Sequence, residues 1–166
     1  DILNRNTAAT VGQMTGAFGS SYTAIGSCNA GLDFYYSHDG DPYPEATSVD
    51  KKDNVDRIAG ELHMLRAFNY FLNARRHCPP YNPDGANDDK LLPYRVSFPK
   101  TLEDATNPEY ATTEKIYRLI INDLKTAKKM LPTEYRSTMH EAYKYGRANK
   151  YAAATLLSRV YFQMNK

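Results

Sequence analysis

The sequence predicts an all-α fold: two helix pairs of tetratricopeptide type, stacked as an α-α superhelix and separated by long loop insertions. Three observations carry this. Apolar residues recur at spacings of three and four over four stretches, the period of a helix with one buried face. Prolines and clustered turn formers break the chain between those stretches. No segment alternates as a strand would; the runs Leu91-Leu92 and Val96-Ser97-Phe98 extend locally at most. The whole of 1–166 reads as one helical domain, with a first helix pair over about 12–77 and a second over about 112–164.

The first helix runs from about Gly12 to Tyr36, with Met14, Phe18, Tyr22, Ile25, Asn29, Leu32 and Tyr36 on one face. Its glycines cost about 1 kcal/mol each against Ala, so tertiary packing must hold it. The loop 37–54 carries Pro42 and Pro44. A second helix follows from about Val55 to His77, its expected packing line Val55, Ile58, Leu62, Leu65, Asn69 and Leu72, with Met64, Phe68 and Phe71 beside it. So wide an apolar arc fits a helix packed on two sides. Pro79 and Pro80 end it.

The segment 79–111 is long for a compact domain, and loops of that length are often functional. Thr112 or Thr113 caps the third helix, whose stripe is Tyr117, Ile120, Leu124, Ala127 and Leu131. Lys128 and Lys129 lie at its negative end and Pro132 stops it. After the loop 132–148, Gly146 and Asn149 open the fourth helix, about Lys150 to Gln163. Ala152, Ala153 and Ala154 let a neighbour approach closely there.

Composition narrows the function. The 21 basic and 19 acidic side chains nearly balance, which offers no footprint for nucleic acid. No run reaches the ~18 apolar residues of a spanning helix. The chain starts Asp1-Ile2-Leu3 and reads as a processed or trimmed piece, with any targeting signal upstream. Ile25-Gly26-Ser27-Cys28 looks like a lipoprotein box, but the stretch before it is too polar for a leader. Cys28 and Cys78 make no metal spacing. The helical hairpin places them at depths that differ by roughly 20 Å, so they are not bonded to each other. There are 14 Tyr, 6 Phe and no Trp; tyrosine faces suit sugar rings and peptide surfaces.

No catalytic, cofactor or metal site is expected. Glu61 and His63 lack the helical spacing of a zinc pair, and Glu61 and Arg66 read instead as polar bridges to neighbouring helices. Asp84 to Asp89 lacks the alternating ligands and closing Glu of a calcium loop and reads as a solvated tip. Gly12 and Gly16 carry no membrane or phosphate claim. No pair of carboxylates stands out as glycoside hydrolase machinery.

The second and fourth helices resemble each other on a slide of 91 positions, which sets Leu65 on Leu156, Ala67 on Ser158, Tyr70 on Tyr161 and Phe71 on Phe162. Tyr22-x-x-Ile25 likewise recurs as Tyr117-x-x-Ile120. Four motifs then point to a family. Gly60-Glu61-Leu62-His63-Met64-Leu65-Arg66-Ala67-Phe68-Asn69-Tyr70-Phe71, the Thr113-to-Pro132 helix, and Gly146-Arg147-Ala148-Asn149-Lys150 through Tyr161 resemble successive helices of SusD-like (RagB/SusD) proteins. Tyr22-x-x-Ile25-x-x-x-Asn29-x-x-Leu32 is similar to the helix before them. His63-Met64 departs from the family's small-then-aromatic pair, which reads as a packing change.

The resemblance implies a fragment of a larger protein that is not an enzyme. Such proteins are lipid-anchored at the outer surface of the outer membrane, and they capture oligosaccharides, or in some members peptides, for a SusC-like TonB-dependent transporter. It implies membrane association only through an upstream anchor. Ligand residues in relatives often precede the first helix. The expected sugar contacts are therefore Asn4, Arg5 and Asn6 with Tyr81, Asn82 and Tyr94, which the hairpin brings to one end. Tyr35, Tyr36 and Tyr43, with His38, form a patch at the far end suited to the partner. The competing reading is a tetratricopeptide module that binds a protein or peptide and no glycan.

Overall fold

The computed structural model describes residues 12–47, 51–135 and 142–165. Its elements are α1 (Gly12–Ser37), α2 (Lys51–His77), β1 (Lys90–Pro93), α3 (Leu102–Thr106), β2 (Tyr110–Thr112), α4 (Thr113–Met130), α5 (Ala142–Gly146) and α6 (Lys150–Gln163). Helix dominates, as the periodicities require, and α2 lies between α1 and α4 while α6 packs on α4. The hairpin of α1 and α2 is antiparallel. Phe18 meets His77 at one end, ring centroids 5.1 Å apart, and Tyr35 reaches Asp56 at the other.

Several local expectations hold for stated reasons. The Thr112 hydroxyl accepts from the Lys115 amide and caps α4; the Asn149 side chain does the same for Ala152 at α6. Tyr117, Ile120, Leu124, Ala127 and Leu131 are all buried. Ala153 joins Ala127 and Leu131 in a small core of its own. Close approach is sharpest at Gly60, where an added Cβ would stand 3.0 Å from the Met130 Cβ and 3.3 Å from the Leu131 backbone nitrogen. Cys28 is buried, Cys78 half-buried, and both are free thiols.

Three expectations need correction. First, α2 packs on a face only partly the one expected, keeping Val55 and Phe71 but not Ile58, Leu65 or Phe68. Ile58 and Leu65 are 47% and 50% exposed and Phe68 also faces out, whereas Val55, Ala59, His63, Arg66, Ala67, Tyr70 and Ala74 are buried. Small and polar side chains win the interior because α1 and α4 come close and supply partners for the polar ones. Periodicity of apolar residues alone could not see this. The helix also starts at Lys51, with Lys51 paired to Asp41 at 2.9 Å.

Second, the segment 79–111 is not structureless. β1 and β2 pair antiparallel, Leu92 opposite Ala111 and Pro93 opposite Tyr110, with a bulge between Lys90 and Leu92. The five-residue α3 is closed by a capping box between Thr101 and Asp104.

Third, the matched positions of the sequence repeat diverge in packing. Phe71 is buried against Tyr117, but Phe162 is 88% exposed, because α2 has a helix on each side whereas α6 packs mainly on α4 and only slightly on α2.

Met14 belongs to α1, but its side chain lies outside the described residues.

Candidate functional site

The site begins with a buried charge. Asp123 projects from α4 toward α2, where the Arg66 guanidinium grips it with two bonds of 2.8 Å. His63 Nδ1 lies 2.7 Å from Asp123 Oδ1. A carboxylate only accepts, so that ring nitrogen carries a proton, and Nε2 shares a hydrogen bond of 2.8 Å with the Tyr36 hydroxyl. Burial alone would push the Asp123 carboxyl up. The hydrogen bonds and charges of Arg66 and His63 outweigh it and hold the group below the usual carboxylate range. His63 is thus a polar link between α1 and α4, and its reading as a packing change is corrected.

Arg66 does more than neutralise Asp123. Its Nη1 donates to the Asn29 side-chain oxygen at 2.8 Å and to the Val96 carbonyl at 3.2 Å. Asn29 in turn donates to the carbonyls of Arg95 and Ser97. Tyr70 and Tyr22 continue the row. The Tyr70 hydroxyl donates to the carbonyls of Pro93 and Arg95 and accepts from the Arg95 amide at 2.7 Å; the Tyr22 hydroxyl donates to Pro93. Burial raises the Tyr70 phenol to about 12, so it stays protonated as this role demands. Residues 93–98 therefore run as a strap along α1, with the carbonyls of Pro93, Arg95, Val96 and Ser97 accepting from buried or half-buried side chains while the Tyr94 amide donates to the Glu109 carbonyl.

The strap delivers Phe98 to the other end of the hairpin. Asp33 Oδ2 accepts from the Phe98 amide at 2.8 Å. Phe98, Phe34 and Tyr36 are then 50%, 46% and 53% exposed around a cleft of about 620 Å³ between α1 and the strap. Asp33 is the only acid among its lining residues, so the cleft lacks the paired carboxylates of glycoside hydrolysis. Among the described residues, no group of three His, Cys, Asp or Glu could hold a metal ion. No described helix is long and apolar enough to cross a membrane.

A second polar cluster fastens the α4–α6 connection. Glu61 accepts from Arg57 at 2.8 Å, from Arg147 at 3.0 Å and from the Tyr135 hydroxyl at 3.3 Å. The Tyr143 ring has the Arg57 and Arg147 guanidinium carbons each 5.2 Å from its centroid. Burial first, then the Glu61 charge, pushes the Tyr135 phenol up to about 12.

The sequence-derived site residues separate accordingly. Asn4, Arg5 and Asn6 lie outside the described residues. Tyr81 is a core residue, its ring on Tyr117 and its hydroxyl bonded to Glu114, so it offers no free face and is a correction. Asn82 is exposed at the acidic tip, where its side-chain oxygen accepts from the Asp84 amide. Asn87, at φ 50, closes that tip. Tyr94 is half-buried with the Lys115 ammonium 4.0 Å from its ring centroid. Tyr35, Tyr36 and Tyr43 do gather at the far end, Tyr35 tied to Asp56 and Tyr43 beside Phe34. Phe34 and Phe98 were missed. The run Phe34-Tyr35-Tyr36 held a signal, since three successive aromatics cannot all face one helix neighbour. Phe98 held none, because its placement depends on Asn29 and Arg66 far away in sequence.

A SusD-like family model, described as starch-binding and associating with the outer membrane, matches residues 3–162. Solved structures agree in fold. A SusD homolog from Bacteroides thetaiotaomicron has a TM-score of 0.72 at 23% identity, covering 93% of this chain and 26% of its own. A SusD-like protein from Bacteroides fragilis is 28% identical with a TM-score of 0.62, over 93% of this chain and 25% of its own. A SusD-like carbohydrate binding protein from the same species is 25% identical with a TM-score of 0.64, over 94% and 25%. No curated protein matches. The chain spans only about a quarter of the length of these three solved chains. It belongs to the SusD-like family.

Proposed function

We propose that this SusD-like chain is the helical part of a non-catalytic protein that captures nutrient oligosaccharides for a SusC-like TonB-dependent transporter. In this reading the protein sits at the outer surface of the outer membrane, held by a lipid anchor upstream of the sequence. The match of the starch-binding family model across nearly the whole chain carries the reading. Two features support it: exposed aromatic rings around a cleft, and a single carboxylate there where hydrolysis would need two.

Asn82 and Tyr94, with Asn4, Arg5 and Asn6, are the proposed sugar contacts. Tyr35 and Tyr43 are the proposed transporter contacts, with Tyr36 at the border of the cleft. A second reading, a tetratricopeptide module for a protein partner, is favoured by the outward apolar line Ile58, Leu65 and Phe68 on α2. A glycan array probed with the full-length protein decides between them. Carbohydrate binding is expected; no glycan bound, together with retention of the transporter, would establish the second reading.

A further inference from the structure

We propose that the cleft between the C-terminal third of α1 and the strap is a subsite for one ring of a neutral sugar, with Phe98 and Phe34 as its walls. This rests on the carbohydrate reading above and assigns a place farther along the strap from Tyr94, with which Phe98 and Lys100 line a neighbouring cavity. The walls are aromatic side chains, whose faces can pack on the C–H faces of a pyranose. The Phe98 backbone and the Phe34 and Tyr36 side chains are already held. The Asp33 carboxylate holds the backbone of Phe98, and Pro99 after it favours an extended strap. Phe34 lies against the rings of His38 and Tyr43, at 4.6 and 6.1 Å between centroids. Tyr36 is tied through its hydroxyl to His63. A ligand entering the cleft has the Phe34 and Tyr36 rings and the Phe98 backbone already placed, which lowers the ordering cost of binding.

The polar atoms around the rings fit hydroxyl groups. Asp33 spends one oxygen on Phe98 and keeps the other as an acceptor, without a partner among the described residues. The Lys100 ammonium, likewise without a partner there, is a donor on the same rim. The Ser97 hydroxyl, on that rim too, can do both. Vicinal hydroxyls take an acceptor and a donor together. One acid and one base cancel, so an acidic sugar gains nothing over a neutral one. The volume of about 620 Å³ lies within the range of small-ligand sites.

The test uses the full-length protein on a panel of maltoheptaose, cellohexaose, xylohexaose and mannohexaose, with polygalacturonate as the acidic comparator. Affinity for the best neutral oligosaccharide is then measured by calorimetry for wild type, Phe98→Ala, Lys100→Ala and Phe162→Ala. Phe98→Ala is expected to weaken binding about tenfold, Lys100→Ala by less, and Phe162→Ala, a still more exposed ring on α6, not at all. Melting temperatures within a degree or two of wild type would show that the strap is intact. Should Phe98→Ala unfold it, the solvent-facing Lys100→Ala carries the decision by the same comparison. Unchanged sugar affinity in Phe98→Ala and Lys100→Ala overturns the subsite while the carbohydrate reading stands. So does loss of transporter binding alone, which would make the cleft a partner contact. Binding to polygalacturonate only overturns the neutral-sugar assignment. Binding to none of the panel overturns the subsite and the carbohydrate reading together.

Discussion

Two carboxylates, Asp123 and Glu61, are both buried and both gripped by arginine, yet they are built differently. Asp123 receives every bond from side chains that are themselves buried: two from Arg66 and one from His63. Arg66 passes its remaining donor to Asn29 and the strap. Glu61 shares its bonds with Arg147, whose side chain is 48% exposed, and its buried partner Arg57 leaves Nε without a hydrogen-bond partner. The desolvation of a buried pair is repaid only when the remaining donors are satisfied. The Asp123 cluster meets that condition and fixes three elements at once: α2, α4 and the strap beside α1. The Glu61 cluster meets it incompletely and fastens one connection. The first positions the candidate site; the second can loosen without disturbing it.

The largest expected effect therefore comes from Asp123→Ala. Removing the carboxylate strands Arg66 and His63 in the interior, and breaking a buried pair in this way costs about 3–5 kcal/mol. Urea denaturation should show it, accompanied by faster hydrogen exchange at residues 95–98. A loss under 1 kcal/mol would mean that water reaches the cluster. The pH dependence sharpens the point. The Asp123 carboxyl titrates lower in the fold than in the unfolded chain, where Asp lies near ~3.9. Its stabilisation is then present above that value and is lost as pH falls through the lower folded value. The stability gap between wild type and Asp123→Asn should be widest at neutral pH and narrow below about pH 4.

Glu61→Ala should cost less, about 1–3 kcal/mol. Arg57 is left buried without its acid, but Arg147 can turn to water and the Tyr143 ring still faces both guanidiniums. The loss should be local. Exchange protection is expected to fall first in α5 and the start of α6, with the strap unchanged. Equal loosening at 95–98 would erase the distinction between the two clusters.

These contrasts mark what the sequence could and could not convey. The helices were legible because capping and periodicity are local: Thr112, Asn149, and the stripe from Tyr117 to Leu131 needed no knowledge of neighbours. Glu61 and Arg66 were legible as polar bridges because charged residues inside a packed helix demand partners. Their partners were not, since Asp123 lies 57 positions from Arg66 and Arg147 lies 86 from Glu61. The packed face of α2 was misread for the same reason. Apolar periodicity points to Ile58 and Leu65, while Asn29 and Asp123 on other helices supply what makes the polar face the inner one. Tyr81 illustrates the converse: a tyrosine in a proline-rich loop looks exposed, and only the packing of Tyr117 beneath it shows otherwise.

The smallest effect is expected at the solvent edge of the weaker cluster. Arg147 pairs with Glu61 at 3.0 Å and stacks on Tyr143, which on a list of contacts looks like a substantial anchor. Its side chain is nearly half exposed, however, so water competes for the guanidinium and salt screens the charge. Glu61 keeps Arg57 and Tyr135 when Arg147 is removed. Arg147→Ala should then cost under about 1 kcal/mol, the usual worth of an exposed pair. That cost should shrink further in high salt, as thermal melts at two ionic strengths would show. A salt-insensitive loss above about 2 kcal/mol would place Arg147 inside a closed network. The Glu61 cluster would then hold its loop as firmly as Asp123 holds the strap.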